Sequence, residues 1–420
     1  MHKKLQGVNS SRRRNLAALA ALGALGAGAA LLRYWPEHGL VNPCRALLPP
    51  ELARHELVRA AWDGLDPRNV WDCHVHLVGT GDSGSGIRLD PAMESVANPL
   101  QYAQRLFYLN AGCAHDAPGR VDQSYLERMR NLVDGMAKGT KLLLFAFDCV
   151  VDEAGAERLQ ETSIYVPNRY AAEVARRFPQ DFEWAASIHP YRRDWFERLA
   201  QACNEGARAV KWLPSAMGID PASKRCDGFY EELSRRGLPL ITHAGRELAI
   251  GSAPLQNLGN PLRLRRALEH GVRVVVAHCA SLGSDIDLDR GANGPEAESF
   301  SLFARLMEEP HGEKLLFGDL SALTQVHRAV PGLVRVLERS HWHPRLLNGS
   351  DYPLPGVMPI YSVERLAELG LVERSAAPPL RQIREHNPIL FDFVLKRSLR
   401  LGGRAFPASV FETRGFFQPG

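Results

Sequence analysis

The chain has 420 residues, of which 45% are hydrophobic and 23% charged, an ordinary globular composition that excludes a disordered chain and is long enough for one large barrel or two smaller domains. Its formal charge of +4 owes much to Lys3, Lys4, Arg12, Arg13 and Arg14, so the remainder is near neutral and lacks the clustered basic surface that a nucleic-acid partner requires. Seven scattered cysteines with no C-x-x-C pair speak against structural zinc and thiol exchange, and nothing in their spacing demands a disulfide. Cys73, Cys149 and Cys279 lie in apolar runs and are expected to be small buried hydrophobes.

Residues 1–36 read as an address. Ser11-Arg12-Arg13-Arg14 precedes Asn15 and then Leu16 to Leu32, a run of Leu, Ala and Gly only, ended by Arg33. These are the n-region and h-region of a secretory signal. The paired arginines and the weakly apolar h-region resemble a bacterial twin-arginine signal, although Asn15 stands where that signal usually has Phe. Ala27-Gly28-Ala29 offers a cleavage site, and membrane attachment through an uncleaved 16–32 is the rival reading. Either one places the protein outside the cytoplasm, in the periplasm or on the outward face of the inner membrane.

A linker and one helix from Pro50 to Trp62 are expected over 37–66. Eight short apolar runs follow: Val70-His76, Lys141-Val150, Glu183-His189, Ala207-Leu213, Pro239-His243, Val272-His278, Lys314-Leu320 and Arg345-Ser350. Strands of this length alternating with amphipathic helices predict a parallel α/β sheet. Eight units over 67–396 predict a (β/α)₈ TIM barrel with insertions in its βα loops, leaving 397–420 as a C-terminal tail. A doubly wound sheet would want a glycine-rich nucleotide loop opening a helix after the first strand. The stretch Gly79 to Gly86 does not open one and is expected to be a mobile loop over the barrel mouth. Long loops at 77–120, 151–167 and 279–298 are expected to select the substrate.

Nearly every strand is apolar until its last positions, where His74 and His76, His189, Lys211, His243, His278, Asp319 and Asp351 appear. In a barrel those carboxyl ends share one rim, the side that carries the chemistry. The spacing of His74 and His76 puts both imidazoles on one face of their strand. Asp72-Cys73-His74-Val75-His76 resembles the D-x-H-x-H opening of the amidohydrolase superfamily. His243 in Thr242-His243-Ala244-Gly245, His278 in Val276-Ala277-His278-Cys279 and Asp351 in Gly349-Ser350-Asp351-Tyr352-Pro353 match its fifth, sixth and eighth strand ends. Gly206-Ala207-Arg208-Ala209-Val210-Lys211, Ser187-Ile188-His189-Pro190, Gly318-Asp319-Leu320-Ser321 and Glu385-His386-Asn387-Pro388 are similar to the amidohydrolase-related branch, and the likeness spans about 70–395.

The resemblance implies a divalent cation, zinc being the expectation, as one or two ions held by His74, His76, His243, His278 and Asp351. Lys211 would join them if carbamylated as a bridge between two ions. Asp351 would act as general base on metal-activated water, with His278 beside the substrate carbonyl. His189, Arg192 and Arg246 are candidate substrate contacts, the arginines for a carboxylate. Cleavage of an amide, ester or lactone bond of a small molecule is the expected reaction. A lyase of the same branch, decarboxylating or hydrating an unsaturated or aromatic acid, is the alternative, and a non-catalytic metal-binding barrel is a third reading. His243-Ala244-Gly245-Arg246-Glu247 is also similar to the H-A-G-E of adenosine deaminase, but Arg246 interrupts it, which weakens Glu247 as a proton donor. Histidines away from the strand ends, His327 among them, are expected at the surface or in packing. Oligomeric state is not legible in the sequence.

Overall fold

The computed structural model describes residues 40–115, 117–250 and 253–418. The expected signal or anchor, with its apolar run 16–32, lies outside them. Among the described residues no helix is long and apolar enough to cross a membrane.

All eight expected strands form, each shorter than its apolar run: β1 Trp71–His76, β2 Lys141–Phe145, β3 Phe182–Ala185, β4 Val210–Trp212, β5 Leu240–His243, β6 Val274–Ala277, β7 Leu316–Asp319 and β8 Leu346–Leu347. Every neighbouring pair is parallel, in two runs, β1-β2-β3 and β4-β5-β6-β7-β8. Single parallel bridges join them, Ala186 to Val210 and Val75 to Tyr352, so the sheet closes. Backbone bonds from Cys73 N to Asn348 O (3.0 Å) and from His76 N to Tyr352 O (2.9 Å) tighten the last seam. Strands buried on both faces read as unbroken apolar runs. β6, Val-Val-Val-Ala, is wholly inaccessible to solvent along its length.

Register delivers the chemistry to one level. His243 pairs with Ala277, Gly318 with Val276 and Asp319 with Leu347, so His243, Asp319 and the residue before His278 end their strands side by side. A register shift between Asp72 and Val75 in β1 adjusts His74 and His76 to that level.

Two expectations are corrected, and two points that the sequence left open are filled in. The single helix Pro50–Trp62 is two, Pro50–Ala53 and Glu56–Trp62, because the His55 ring accepts the Leu57 N–H (3.2 Å) and caps the second. The stretch 79–86 is tied down rather than arching free over the mouth. Buried Asp122 accepts Thr80 N (2.7 Å), Gly81 N (3.1 Å) and Ser85 Oγ (2.6 Å), while Asp82 accepts Val121 N (2.8 Å) at the start of the helix Val121–Asp134. Gly79 is required there, since a Cβ would come within 2.2 Å of the Asp122 carboxylate. Cys44 and Cys113 form a disulfide, with Cα atoms 5.6 Å apart. The bond fastens the N-terminal strap beside the helix Pro99–Ala111, where Asn42 N also meets Asn110 Oδ1 (2.7 Å). Finally, the expected tail packs under the barrel: Thr413 Oγ1 donates to Trp71 O (2.7 Å) and Asn348 N to Val410 O (2.8 Å), with Phe411 fully buried. Cys73, Cys149 and Cys279 are buried free thiols, as composition suggested.

Candidate metal centre

His74 leaves β1 with 1% of its surface exposed, its Nδ1 2.8 Å from Asp319 Oδ2. A carboxylate there receives the Nδ1 proton, so the Nε2 of His74 carries a lone pair. That Nε2 lies 3.4 Å from Asp351 Oδ1. His278 repeats the arrangement: its Nδ1 lies 3.0 Å from the backbone oxygen of Ser321, an acceptor only, which fixes the proton on Nδ1. Its Nε2 is 3.8 Å from Asp351 Oδ2. Burial pushes the pKa of both rings well below the usual imidazole value, with positive neighbours adding to the effect, Lys211 for His74 and Arg328 for His278. Both are therefore neutral at physiological pH. Two imidazole lone pairs and a carboxylate then face one another with no proton between them, an arrangement that repels unless a cation is present. The donor atoms of His74, His278 and Asp351 all lie within 4.8 Å of one another. The donor set fits a divalent metal.

Asp319 organises this floor. Its Oδ1 accepts His278 N (2.9 Å), Ser321 N (3.0 Å) and the Ser321 hydroxyl, while Oδ2 takes His74. Partners of this type fix the tautomer and aim of metal-binding imidazoles. The backbone is unusual at the same places: Asp351 has φ 62° and His278, Cys279 and Ala280 have φ 54°, 51° and 48°. Left-handed conformations cost roughly 1–2 kcal/mol per non-glycine residue and concentrate at functional sites. Here the bonds from His278 N to Asp319 and from Asp351 N to His74 O (2.9 Å) hold them.

The remaining candidates divide into two groups. His76 Nε2 lies 2.8 Å from Asp351 Oδ1, on the mouth side of the floor and partly exposed. His243 stands beside His278, ring centroids 5.6 Å apart, but its Nε2 faces Glu247 Oε2 at 3.2 Å and its buried Nδ1 has no partner. Burial lowers its pKa to about 4. Lys211 is buried within β4, its ammonium 4.6 Å from the Phe145 ring centre, and burial lowers its pKa to about 8. These six residues line one cavity of about 330 Å³. His189, Arg192 and Arg246 do not line it. His189 is fully buried between Met217 O (3.0 Å) and Tyr191 N (3.2 Å). Arg192 is held by Asp148 (2.6 Å) and Glu157 (2.7 Å), and Arg246 is exposed.

A family profile described as Amidohydrolase matches residues 71–388. This chain belongs to the amidohydrolase family. Its members are metal-dependent enzymes, and among the described residues of this amidohydrolase His74, His278 and Asp351 form a group whose donor atoms fit one metal ion. No curated protein matches the chain. Among solved structures it is similar to an uncharacterized TIM-barrel protein from Bordetella bronchiseptica, at 17% identity over 74% of this chain and 98% of that one, with a TM-score of 0.43. It is also similar to a protein assigned as a 2-pyrone-4,6-dicarboxylic acid hydrolase from Pseudomonas putida (16%, 77% and 97%, TM-score 0.41). A third is a manganese-bound 5-carboxyvanillate decarboxylase from Novosphingobium aromaticivorans (11%, 77% and 96%, TM-score 0.42).

Above the floor the amidohydrolase cavity is walled mainly by apolar side chains, among them Phe107, Phe147, Leu213, Leu282, Val357 and Ile360. Its polar wall residues are Gln104, Tyr108, Glu247, Gln325, His327 and Arg328. Of the loops expected to select substrate, 77–120, 151–167 and 279–298 all contribute, but those after β5, β7 and β8 contribute more of the lining. His327, expected at the surface or in packing, also lines the cavity, and burial lowers its pKa to about 4. Arg328 and Gln325 carried no motif. The only signal that could have found them is position, within ten residues after the polar end of β7.

Proposed function

We propose that this amidohydrolase hydrolyses an amide, ester or lactone bond in a small, largely apolar organic molecule. The observation that carries the reading is the pair of neutral imidazole lone pairs, on His74 and His278, converging with the Asp351 carboxylate at the closed floor of an apolar cavity. When bound there, a divalent cation supplies Lewis-acid polarisation and makes water a usable nucleophile near neutral pH, and zinc suits these nitrogen and oxygen donors. His76 and His243 complete the set of candidate holders. Asp351 takes the proton of the attacking water and returns it to the departing nitrogen or oxygen as the scissile bond breaks. His278 lies beside the carbonyl, and the apolar wall excludes bulk water. Lys211, with its lowered pKa, is the group available for carbamylation if two ions bind.

The Cys44–Cys113 disulfide suits an oxidising compartment and supports export on the N-terminal segment. The test is turnover of a panel of aryl esters, lactones and anilides by zinc-loaded protein. Metal-dependent product with Asp351→Asn reduced at least about 10²-fold is expected, the scale of losing a general base. Carbon dioxide or a hydrated acid formed without any hydrolytic product would replace this reading with the lyase.

A further inference from the structure

The large apolar side chains that this protein leaves in water are gathered at one end. Among the described residues eleven are more than a third exposed: three on the strap 40–47, seven on the loops after β1, β5 and β7, and Phe196 after β3. None lies on a turn that enters a strand from the closed end of the barrel. Three of them sit beside residues that line the cavity. Leu100, 69% exposed, precedes Gln104 and Phe107 on the helix Pro99–Ala111 at the i, i+4, i+7 spacing that shares one face. Leu248, 52% exposed, belongs to the wall itself, and its carbonyl oxygen accepts Gln104 Nε2 (3.1 Å). Val326, 38% exposed, stands between Gln325 and His327, with its N–H bonded to Ile360 O (3.0 Å). Apolar groups from three loops thus ring an opening whose walls are themselves apolar, and such a patch marks a surface that meets an apolar partner.

The N-terminal strap is fastened at the same rim. Asn42 Nδ2 donates to Gly356 O (3.2 Å), next to the lining residue Val357, while Asn42 N meets Asn110 Oδ1 (2.7 Å) and Cys44 is bonded to Cys113. Leu32, the end of the apolar run 16–32, comes ten residues before Asn42, a reach of at most about 35 Å. A sequence that prefers lipid is therefore leashed to the mouth and not to the closed end.

We propose that the mouth of this barrel docks on a lipid bilayer, with Leu100, Leu248 and Val326 inserted at the level of the headgroups while the run 16–32 holds the chain to the same membrane. Three separate aliphatic side chains bury too little to keep a protein on a membrane unaided, but a tether makes their insertion an intramolecular step at high effective concentration. A second copy of the chain fits less well, because a self-complementary interface needs a continuous, well-packed face and here the apolar groups surround an opening. Docked in this way, the cavity opens towards the acyl chains, and an apolar substrate enters it from lipid without crossing water. That route alone rests on the proposed function, whereas the docking does not.

Site-specific fluorescence on the full chain, with vesicles of phosphatidylethanolamine and phosphatidylglycerol, tests the docking. Leu100→Cys, Leu248→Cys and Val326→Cys, each carrying an environment-sensitive nitrobenzoxadiazole label, are compared with Glu269→Cys on the exposed end of the helix before β6. The parent chain, treated alike, corrects for labelling at the half-buried Cys203. Vesicles are expected to shift the emission of the three mouth labels to the blue, and nitroxide-bearing lipids to quench them at least about 2-fold, as insertion by about 5–10 Å requires. The Glu269 label should not respond. Adding Leu100→Asp and Val326→Asp to the Leu248→Cys chain should remove most of its quenching while the protein stays on the vesicles. Thermal unfolding identifies a variant that does not fold, and any two of the three mouth positions decide the question. Mouth labels that remain in water on vesicle-bound protein, equal quenching at Glu269, or quenching that survives the two aspartates would each overturn the proposal. So would labels shielded without vesicles as the chain dimerises, or a full chain that does not bind vesicles. Lipid contact at the mouth with no hydrolysis of any aryl ester or lactone would sink the proposed reaction and leave the docking standing. Metal-dependent hydrolysis by a chain whose mouth never meets lipid would do the reverse.

Discussion

Asp319 touches neither the cavity nor the mouth, yet it sets the aim of the centre by receiving His74 Nδ1 and holding the backbone of His278. Asp319→Asn retains the shape, but its amide can present an N–H to His74 and invert the tautomer. Metal affinity, read by competition with a chromogenic chelator, should fall about 10- to 100-fold. An unchanged affinity would mean that Asp319 is only a folding residue. His189 offers a different test, because it is fully buried outside the metal group and burial lowers its pKa to about 4. The unfolded chain has the ordinary value of 6.5 and binds the proton first, so this contribution is complete above about pH 6.5 and is lost as pH falls towards 4. The effect is on the order of 3 kcal/mol over the whole range. Urea unfolding at pH 7 and pH 5 should therefore show a smaller acid-dependent loss in His189→Gln than in the parent, and an identical loss would refute this.

Between elements, the seam of β1 and β8 is where the metal residues meet, and a buried network on the far side of the floor fixes it. Asp72 accepts Ser350 N (2.8 Å) and His74 N (3.2 Å), coupling the two residues that flank the site. Lys396, from the helix Pro388–Ser398, donates to Gly349 O (2.6 Å) and to Asp392 (2.6 Å), with both side chains 1% exposed. Lys396→Met leaves Asp392 buried and uncompensated, and should cost about 3 to 5 kcal/mol in chemical denaturation. Asp392, whose pKa burial already raises to about 7, would then take up a proton, so the double variant with Asp392→Leu should recover much of the loss. At Gly349 a Cβ would lie 2.6 Å from that of His74. Gly349→Ala should therefore separate β8 from β1, lowering metal affinity more than global stability. The strap is a separate element: Cys44→Ser opens a link across 69 residues, worth about 4 kcal/mol in chain entropy, and should lower the thermal midpoint only under non-reducing conditions.

For the whole molecule, a cation bound by β1, β6 and β8 ties together distant parts of one closed sheet, so its removal should destabilise globally. Stripping with chelator is expected to lower the thermal midpoint by several degrees, with recovery that depends on metal concentration, since a ligand of the native state alone stabilises by mass action. A midpoint indifferent to metal would count against the centre. Elemental analysis settles stoichiometry alongside: one equivalent leaves Lys211 an ordinary buried amine, and two equivalents place a bridge there.

Sequence alone determined the eight strands and their order, because parallel strands buried on both faces must be apolar runs and polar residues concentrate where they end, at the rim, and the resemblance of the motifs at those ends pointed to the family. The same logic exposed His74, His76, His243, His278 and Asp351, each marked by a local motif. Only the tertiary structure decided which of these converge, for His74, His278 and Asp351 share one point while His243 turns to Glu247. It also set Arg192 and His189 apart from the cavity and brought in Arg328, Gln325 and the Cys44–Cys113 pair. Periodicity records which face of an element is buried. Where a side chain on an irregular loop comes to rest depends on contacts with segments tens to hundreds of residues away, which no local pattern encodes.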